Sequence, residues 1–134
     1  MQVTTEIKVR VTDLDFLGHV NNAVYMQYLE CGREEWYREA GINYNQQAER
    51  GISTVVVHAG INYRKEARQG ERLSIKTKPL RRGKKSFSFY QEILNEHGEI
   101  VVDATATEVC FDLRNRISVT ILAEIAVHFE GLEE

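Results

Sequence analysis

One proline, one tryptophan and two cysteines occur among the 134 residues, and the shortages exclude several classes. Cys31 and Cys110 are far apart and form no Cys-x-x-Cys or Cys/His spacing, so neither a disulfide framework nor a zinc site is written here. Two buried thiols in a reducing cytoplasm are the expectation. No run approaches the roughly 18 apolar residues of a membrane span. The opening Met-Gln-Val-Thr-Thr-Glu-Ile-Lys lacks the basic-then-apolar layout of an export signal. Absent too are a Gly-x-Ser-x-Gly elbow, a P-loop and a dinucleotide fingerprint. Serine hydrolases, nucleoside triphosphatases and Rossmann dehydrogenases lose ground accordingly.

What remains is ordinary globular material, 43% hydrophobic and 28% charged, read as a single domain over residues 1–134. The net charge of −3 hides an uneven distribution. Ten basic residues lie between Arg64 and Lys85 against only Glu66 and Glu71, giving that segment +8 and the remainder −11. One region is suited to an anion, while the rest repels nucleic acid and anionic membranes.

Residues 3–11 alternate in the manner of a half-buried strand, with Val3, Thr5, Ile7, Val9 and Val11 on one face. From Asn22 to Ala40 the period becomes helical, with Tyr25, Tyr28, Leu29, Gly32 and Trp36 on one stripe. Asn21 or Asn22 supplies the N-cap, and Gly41 closes the helix. Four more strands are read at Thr54–Tyr63, Arg72–Leu80, Ser86–Leu94 and Ile100–Phe111, followed by a short helix within Ile121–Glu130. Ala104 and Ala106 are taken to face Gly32. The fold class is therefore α+β, one long helix on an antiparallel sheet of five strands. A single helix cannot cover both faces of such a sheet, so a homodimer or homotetramer is expected.

Chemistry concentrates in Thr12-Asp13-Leu14-Asp15-Phe16-Leu17-Gly18-His19-Val20-Asn21-Asn22. Two carboxylates, a histidine and two asparagines meet at a helix N-terminus, where unpaired N–H groups and the dipole favour negative charge. Such a terminus polarises a carbonyl, and a neighbouring carboxylate acts on it as base or nucleophile. The plainer alternatives are that Asp13 or Asp15 caps a turn and that the asparagines cap the helix. Metal binding by Asp-x-Asp with His19 lacks further ligands at helical or hairpin spacing. His58, inside an apolar strand, reads as a hydrogen-bonded core histidine.

This loop, followed by Tyr25, Tyr28, Glu30 and Arg33, resembles that of the hot-dog-fold acyl-CoA thioesterases of the 4-hydroxybenzoyl-CoA thioesterase type. The likeness runs on through Glu49-Arg50-Gly51-Ile52, Asn62-Tyr63-Arg64-Lys65, Gly70-Glu71 and Arg81-Arg82-Gly83-Lys84-Lys85-Ser86-Phe87. Its most specific part is the Asp15-x-x-Gly18 step before the helix. The resemblance implies a sheet wrapped around one central helix, dimers with sites at the subunit interface, and no metal or organic cofactor. It also implies that Asp15 is nucleophile or general base and that an N–H near Asn22 polarises the thioester carbonyl. The loop is similar as well to that of plant acyl-carrier-protein thioesterases, Asp-Leu-Asp-x-Asn-x-His-Val-Asn-Asn, but Leu17 replaces the asparagine. An Asn–His pair is thus not carried over, and His19 ranks second to Asp15.

Given an acyl-CoA substrate, Arg81, Arg82, Lys84 and Lys85, with Ser86 beside them, suit the coenzyme's phosphates. Arg64 and Lys65 join them from the same rim or across a dimer. Tyr25, Tyr28, Trp36, Tyr44 and His58 are candidates to line the acyl pocket. The sequence and its resemblance together imply a cytoplasmic acyl-CoA thioesterase without nucleic-acid or membrane partners. Its rivals are a non-hydrolytic acyl-CoA-binding domain and an acyl-carrier-protein thioesterase.

Overall fold

Residues 1–134 are described by a computed structural model. The N-terminal alternation forms β1 (Val3–Lys8). It ends three residues before the expected limit because Val11–Asp13 turn into a single 3-10 turn. That turn is closed by Asp13, whose Oδ2 accepts from the Arg10 N–H at 3.0 Å, and it leaves Val11 exposed. The long helix α1 (Asn22–Glu39) follows, with Asn21 as N-cap accepting from the Ala23 N–H at 2.9 Å. Beyond its C-terminus Gly41 takes φ +79°, a conformation that costs other residues strain.

A second helix, α2 (Tyr44–Arg50), was not expected from the sequence. Seven residues with little apolar content carry no period, and only the Asn43 cap and the left-handed Gly51 mark its ends. Four strands then follow as read, with margins moved by up to two residues: β2 (Ile52–Tyr63), β3 (Arg72–Arg82), β4 (Ser86–Leu94) and β5 (Ile100–Asp112). A short β6 (Ile117–Val119) folds back on the end of β5, making six strands where five were expected. In the C-terminal tail, α3 (Ala123–Ala126) leads into a 3-10 turn at Val127–Phe129.

The main sheet has the antiparallel order β1-β3-β4-β5-β2. The predicted stripe of α1 is buried, together with Tyr37. Its N-terminal half packs Tyr25, Tyr28 and Leu29 with Leu73, Ile75 and Val102. Its C-terminal half packs Trp36 and Tyr37 with Phe87, Phe89 and Phe129. Gly32 does allow a close approach, but to β3 and β4 rather than to Ala104 and Ala106: a Cβ there would stand 2.7 Å from Ile75 Cγ2 and 2.8 Å from Thr77 Oγ1. The alanines instead leave space between helix and sheet.

Two other expectations are corrected. Cys31 is exposed on α1, and only Cys110 is buried. His58 is exposed as well, since β2 pairs on one side only and its run Val55–Ala59 is uncovered. A bulge between Val56 and His58 leaves Val57 without a register partner on β5. A twelve-residue edge with Val55, Val56 and Val57 exposed is the kind of surface proteins seldom leave bare. No helix is long and apolar enough to cross a membrane.

Candidate functional site

The loop between the 3-10 turn and α1 is a small self-bonded structure. Leu14 bridges Val20, the Asp15 N–H donates to the His19 carbonyl at 2.8 Å, and the Gly18 N–H returns to the Asp15 carbonyl at 3.1 Å. Gly18 takes φ +84° to allow this reversal. The carboxylate of Asp15 accepts from the Leu17 N–H at 2.9 Å and the His19 N–H at 3.3 Å. Both bonds fall on Oδ1, which leaves Oδ2 without a protein partner.

The two aspartates of the motif divide the work. Asp13 is buried and accepts from the Tyr28 hydroxyl at 2.7 Å, from Arg10 Nη2 at 3.0 Å and from the Arg10 backbone. Burial alone would raise its pKa, but the Arg10 and Tyr28 hydrogen bonds outweigh it and hold the group below the usual carboxylate range. Every favourable direction around Asp13 is occupied by the protein, so it is the turn-capping member. Asp15 is the member that faces a cavity.

That cavity, of about 620 Å³, is lined among others by Asp15, His19, Asn22, Tyr25, Arg64 and Lys65. The first turn of α1 contributes its backbone. Asn21 satisfies the N–H groups of Ala23, Val24 and Tyr25, whereas the Asn22 N–H makes no hydrogen bond and carries the positive end of the helix dipole. The Asn22 carbonyl accepts from the Tyr63 hydroxyl at 3.2 Å. A carboxylate oxygen and a free helix N–H on one cavity are the two elements that acyl transfer requires.

Neighbouring groups fix this arrangement. Tyr25 spends its hydroxyl on the Ala67 N–H at 3.1 Å, and the Ala67 carbonyl accepts from the Val20 N–H at 2.9 Å. Segment 64–71 is thereby stitched to the loop before α1. His19 Nε2 lies 2.7 Å from Glu66 Oε2. Hydrogen bonding to Arg68 lowers the Glu66 pKa and keeps it a carboxylate. Glu66 and Phe16 at this cavity escaped sequence reasoning; the His19–Glu66 contact spans 47 positions and has no local signature.

The basic residues separate into two groups. Arg64 and Lys65 stand at the cavity but are paired, Arg64 with Asp103 at 2.7 Å and Lys65 with Glu99 at 2.8 Å. Arg81, Arg82, Lys84, Lys85 and Ser86 lie at the other end of the sheet, where Arg81 pairs with Glu134 and Ser86 stands opposite Val109. Tyr63, at the cavity, stands opposite Val102. The seven strand positions between Val102 and Val109 put about 24 Å between these ends. Of the suggested pocket residues, Tyr28 and Trp36 belong to the core, Tyr44 lines a cavity farther along α1, and His58 lines none of the cavities described.

Known proteins similar to this chain are thioesterases. The chain is 34% identical over 129 residues to the long-chain acyl-CoA thioesterase FadM of Escherichia coli (strain K12), covering 96% of this chain and 97% of that one. It is 33% identical over 112 residues to the chloroplastic acyl-acyl carrier protein thioesterase ATL2 of Arabidopsis thaliana, covering 83% of this chain and 60% of that one. Its fold superposes with a TM-score of 0.90 on a 1,4-dihydroxy-2-naphthoyl-CoA thioesterase from Synechocystis, at 22% identity and 98% coverage of both chains. The model of the thioesterase-like superfamily matches residues 9–129, and the chain belongs to that superfamily.

Proposed function

We propose that residues 1–134 act as one cytoplasmic acyl-CoA thioesterase domain, releasing a free acid and coenzyme A. The observation that carries this reading is the partnerless Asp15 Oδ2 on the same cavity as the free Asn22 N–H. Asp15 attacks the thioester carbon, expelling the coenzyme A thiolate and leaving an acyl-aspartyl anhydride for water to open. Alternatively it takes a proton from the water that attacks. In either route the carbonyl oxygen gains negative charge beside the Asn22 N–H, where the helix dipole stabilises it. His19, turned towards Glu66, positions the loop. The reaction needs no metal or organic cofactor.

The bare β2 edge supports a homodimer built by antiparallel β2–β2 pairing. Ile52 stands opposite Asp112, at the hairpin end of the sheet, and Tyr63 stands at the cavity end. A two-fold axis through β2 therefore brings the partner's hairpin end to this protomer's cavity. Lys84 and Lys85 then serve the nucleotide phosphates of a substrate bound next door, alongside the guanidinium of Arg64 left exposed by its one-sided pairing. The likeness to the Arabidopsis protein favours, as second reading, an acyl-carrier-protein substrate on the same site.

Thiol release from short, long and aromatic acyl-CoAs, with wild type and Asp15→Asn compared, tests the reading. Loss of a general base or nucleophile costs about 10²-fold or more. Unchanged turnover in the variant refutes the role of Asp15. Adding acyl-carrier-protein thioesters to the panel distinguishes the carriers.

A further inference from the structure

Beyond the mouth at Asp15, two further cavities lie along α1 beside β2. A cavity of about 250 Å³ follows, walled by Met26, Leu29, Ile61, Ala59, Ala104 and Ala106. It shares Glu30, Arg33 and Val56 with a third, of about 340 Å³, that reaches Thr54, Tyr37 and Glu108. The sheet side of this path reads Tyr63, Ile61, Ala59, then Val56 and Thr54. The alternation changes parity at the Val57 bulge, as one extra strand residue requires. Ala104 and Ala106 keep the middle wide, since larger side chains on β5 would fill it. The second and third cavities share walls, and the Asp15 mouth adjoins them through consecutive Tyr25 and Met26 on α1 and through Tyr63 and Ile61, two residues apart on β2.

Its walls change character along the way. The middle stretch is apolar, but the far end holds a carboxylate that the fold does not satisfy. Glu108 is 4% exposed. Its Oε1 accepts from the Tyr37 hydroxyl at 2.9 Å, while Oε2 is buried and accepts no hydrogen bond. Arg33 Nε lies 3.4 Å from Oε2, near enough for attraction but without hydrogen-bond geometry. The Arg33 Nη1 group is committed to Gln91 Oε1 at 3.0 Å. Burial pushes the Glu108 pKa up against the pull of Arg33, Tyr37 and the nearby Thr54 hydroxyl. A buried oxygen left in this state is costly unless a donor arrives.

On the thioesterase reading above, we infer that the preferred acyl group is a medium-length chain bearing a hydroxyl at or near its far end, donated to Glu108 Oε2. The length follows from the helix. Asn22 and Arg33 are eleven residues apart on α1, about 16 Å, which an extended chain of roughly twelve carbons spans. The polarity follows from the charges. Glu30, Glu34 and Glu108 outnumber Arg33 around the terminus, so a neutral donor is accepted and a terminal carboxylate is repelled.

The test compares dodecanoyl-CoA, 12-hydroxydodecanoyl-CoA and the 12-carboxy analogue as substrates of the full chain. The hydroxylated chain is expected to have at least about tenfold higher kcat/KM than the plain one, because a site built around a hydrogen bond penalises the analogue lacking it. The carboxylated chain is expected to fall below both. In Glu108→Leu the hydroxyl-to-plain ratio should drop to about one. Because this ratio is internal to each protein, partial unfolding of the variant does not disturb it, and Glu108→Gln provides a second variant of unchanged shape. Equal rates for the plain and hydroxylated chains in wild type, or a preference for the carboxylate, overturn the inference. If no acyl-CoA of any length is turned over, the thioesterase reading fails. Equilibrium binding of the same three ligands then decides the pocket, equal affinities overturning it.

Discussion

Asp13 and Asp15 stand two residues apart, and the structure gives them roles that one pair of substitutions separates. In Asp13→Ala the acceptors of the Tyr28 hydroxyl, the Arg10 backbone N–H and the Arg10 guanidinium are all removed. The Arg10 guanidinium is solvent-exposed, so its own ion pair contributes little. The buried Tyr28 contact and the backbone N–H of Arg10 dominate, and losing acceptors for them costs about 2 kcal/mol. Unfolding entropy of about 2.1 cal/mol/K per residue makes that a fall in Tm of about 7 °C. Asp15→Asn keeps an oxygen for the Leu17 and His19 N–H groups and should move Tm by no more than about 2 °C. Activity divides the opposite way: Asp15→Asn loses about 10²-fold or more, whereas folded Asp13→Ala retains most of its turnover. The sign of the pH effect follows as well. The folded-state pKa of Asp13 is lowered, so its stabilisation is fully present above the ordinary aspartate pKa near 3.9 and is lost as pH falls through the lower folded value. Asp13→Ala should therefore remove part of the acid limb of the stability profile. Thermal melts at equal protein concentration from pH 7 to pH 2, with thiol release at pH 7, read all three quantities. Equal Tm for Asp13→Ala and wild type, or an activity loss equal to that of Asp15→Asn, would refute the division.

Gly32→Ala should destabilise by about 1–3 kcal/mol in urea unfolding, because its Cβ would lie 2.7 Å from Ile75 Cγ2 and 2.8 Å from Thr77 Oγ1. If the proposed β2–β2 dimer forms, Val57→Lys, at an exposed position of that edge, should convert it to monomers in sedimentation analysis and reduce turnover with it; an unchanged mass refutes β2 pairing. Charge reversal of Lys84 and Lys85 together should raise KM for acyl-CoA about tenfold at low salt and leave acyl-pantetheine, which lacks the nucleotide, unaffected. Equal effects on both substrates would remove the hairpin from phosphate binding.

Patterns confined to one element were legible in the sequence, and contacts between elements were not. The α1 stripe, its Asn21 cap and the Gly41 exit follow from a 3.6-residue period and local backbone needs, and so does the meeting of Asp15 and Asn22, which one short loop enforces. Helix α2 was missed because its single apolar-facing turn is built on Gln47, and β6 because three residues are too few to show a period. The exposure of His58 was misread for a different reason: an apolar strand looks the same whether its edge is covered by its own sheet or left for a partner. The basic segment misled similarly. A +8 run in sequence is split by the hairpin fold, with Arg64, Lys65 and Arg68 drawn into ion pairs at one end and Lys84 and Lys85 left at the other.

Hydrophobic packing alone does not explain how α1 is aimed. Apolar contact is non-directional, and a helix resting on Ile75, Phe89 and Val102 could slide or roll with small loss. The bonds that forbid this are polar and spaced along α1. Tyr28 is tied to Asp13, and the Leu29 carbonyl accepts from Gln91 Nε2 at 2.9 Å. Tyr37 is tied to Glu108, and Trp36 Nε1 donates to the Met1 carbonyl at 3.0 Å. Each requires its own rotation and height, and Gly32 lets the helix sink far enough to meet them together. An anchored helix has an anchored N-terminus, and the free N–H of Asn22 is useful only if it points at one place. On the proposed mechanism the buried polar groups of this core act by positioning that N–H, and their removal should blur turnover before it unfolds the chain.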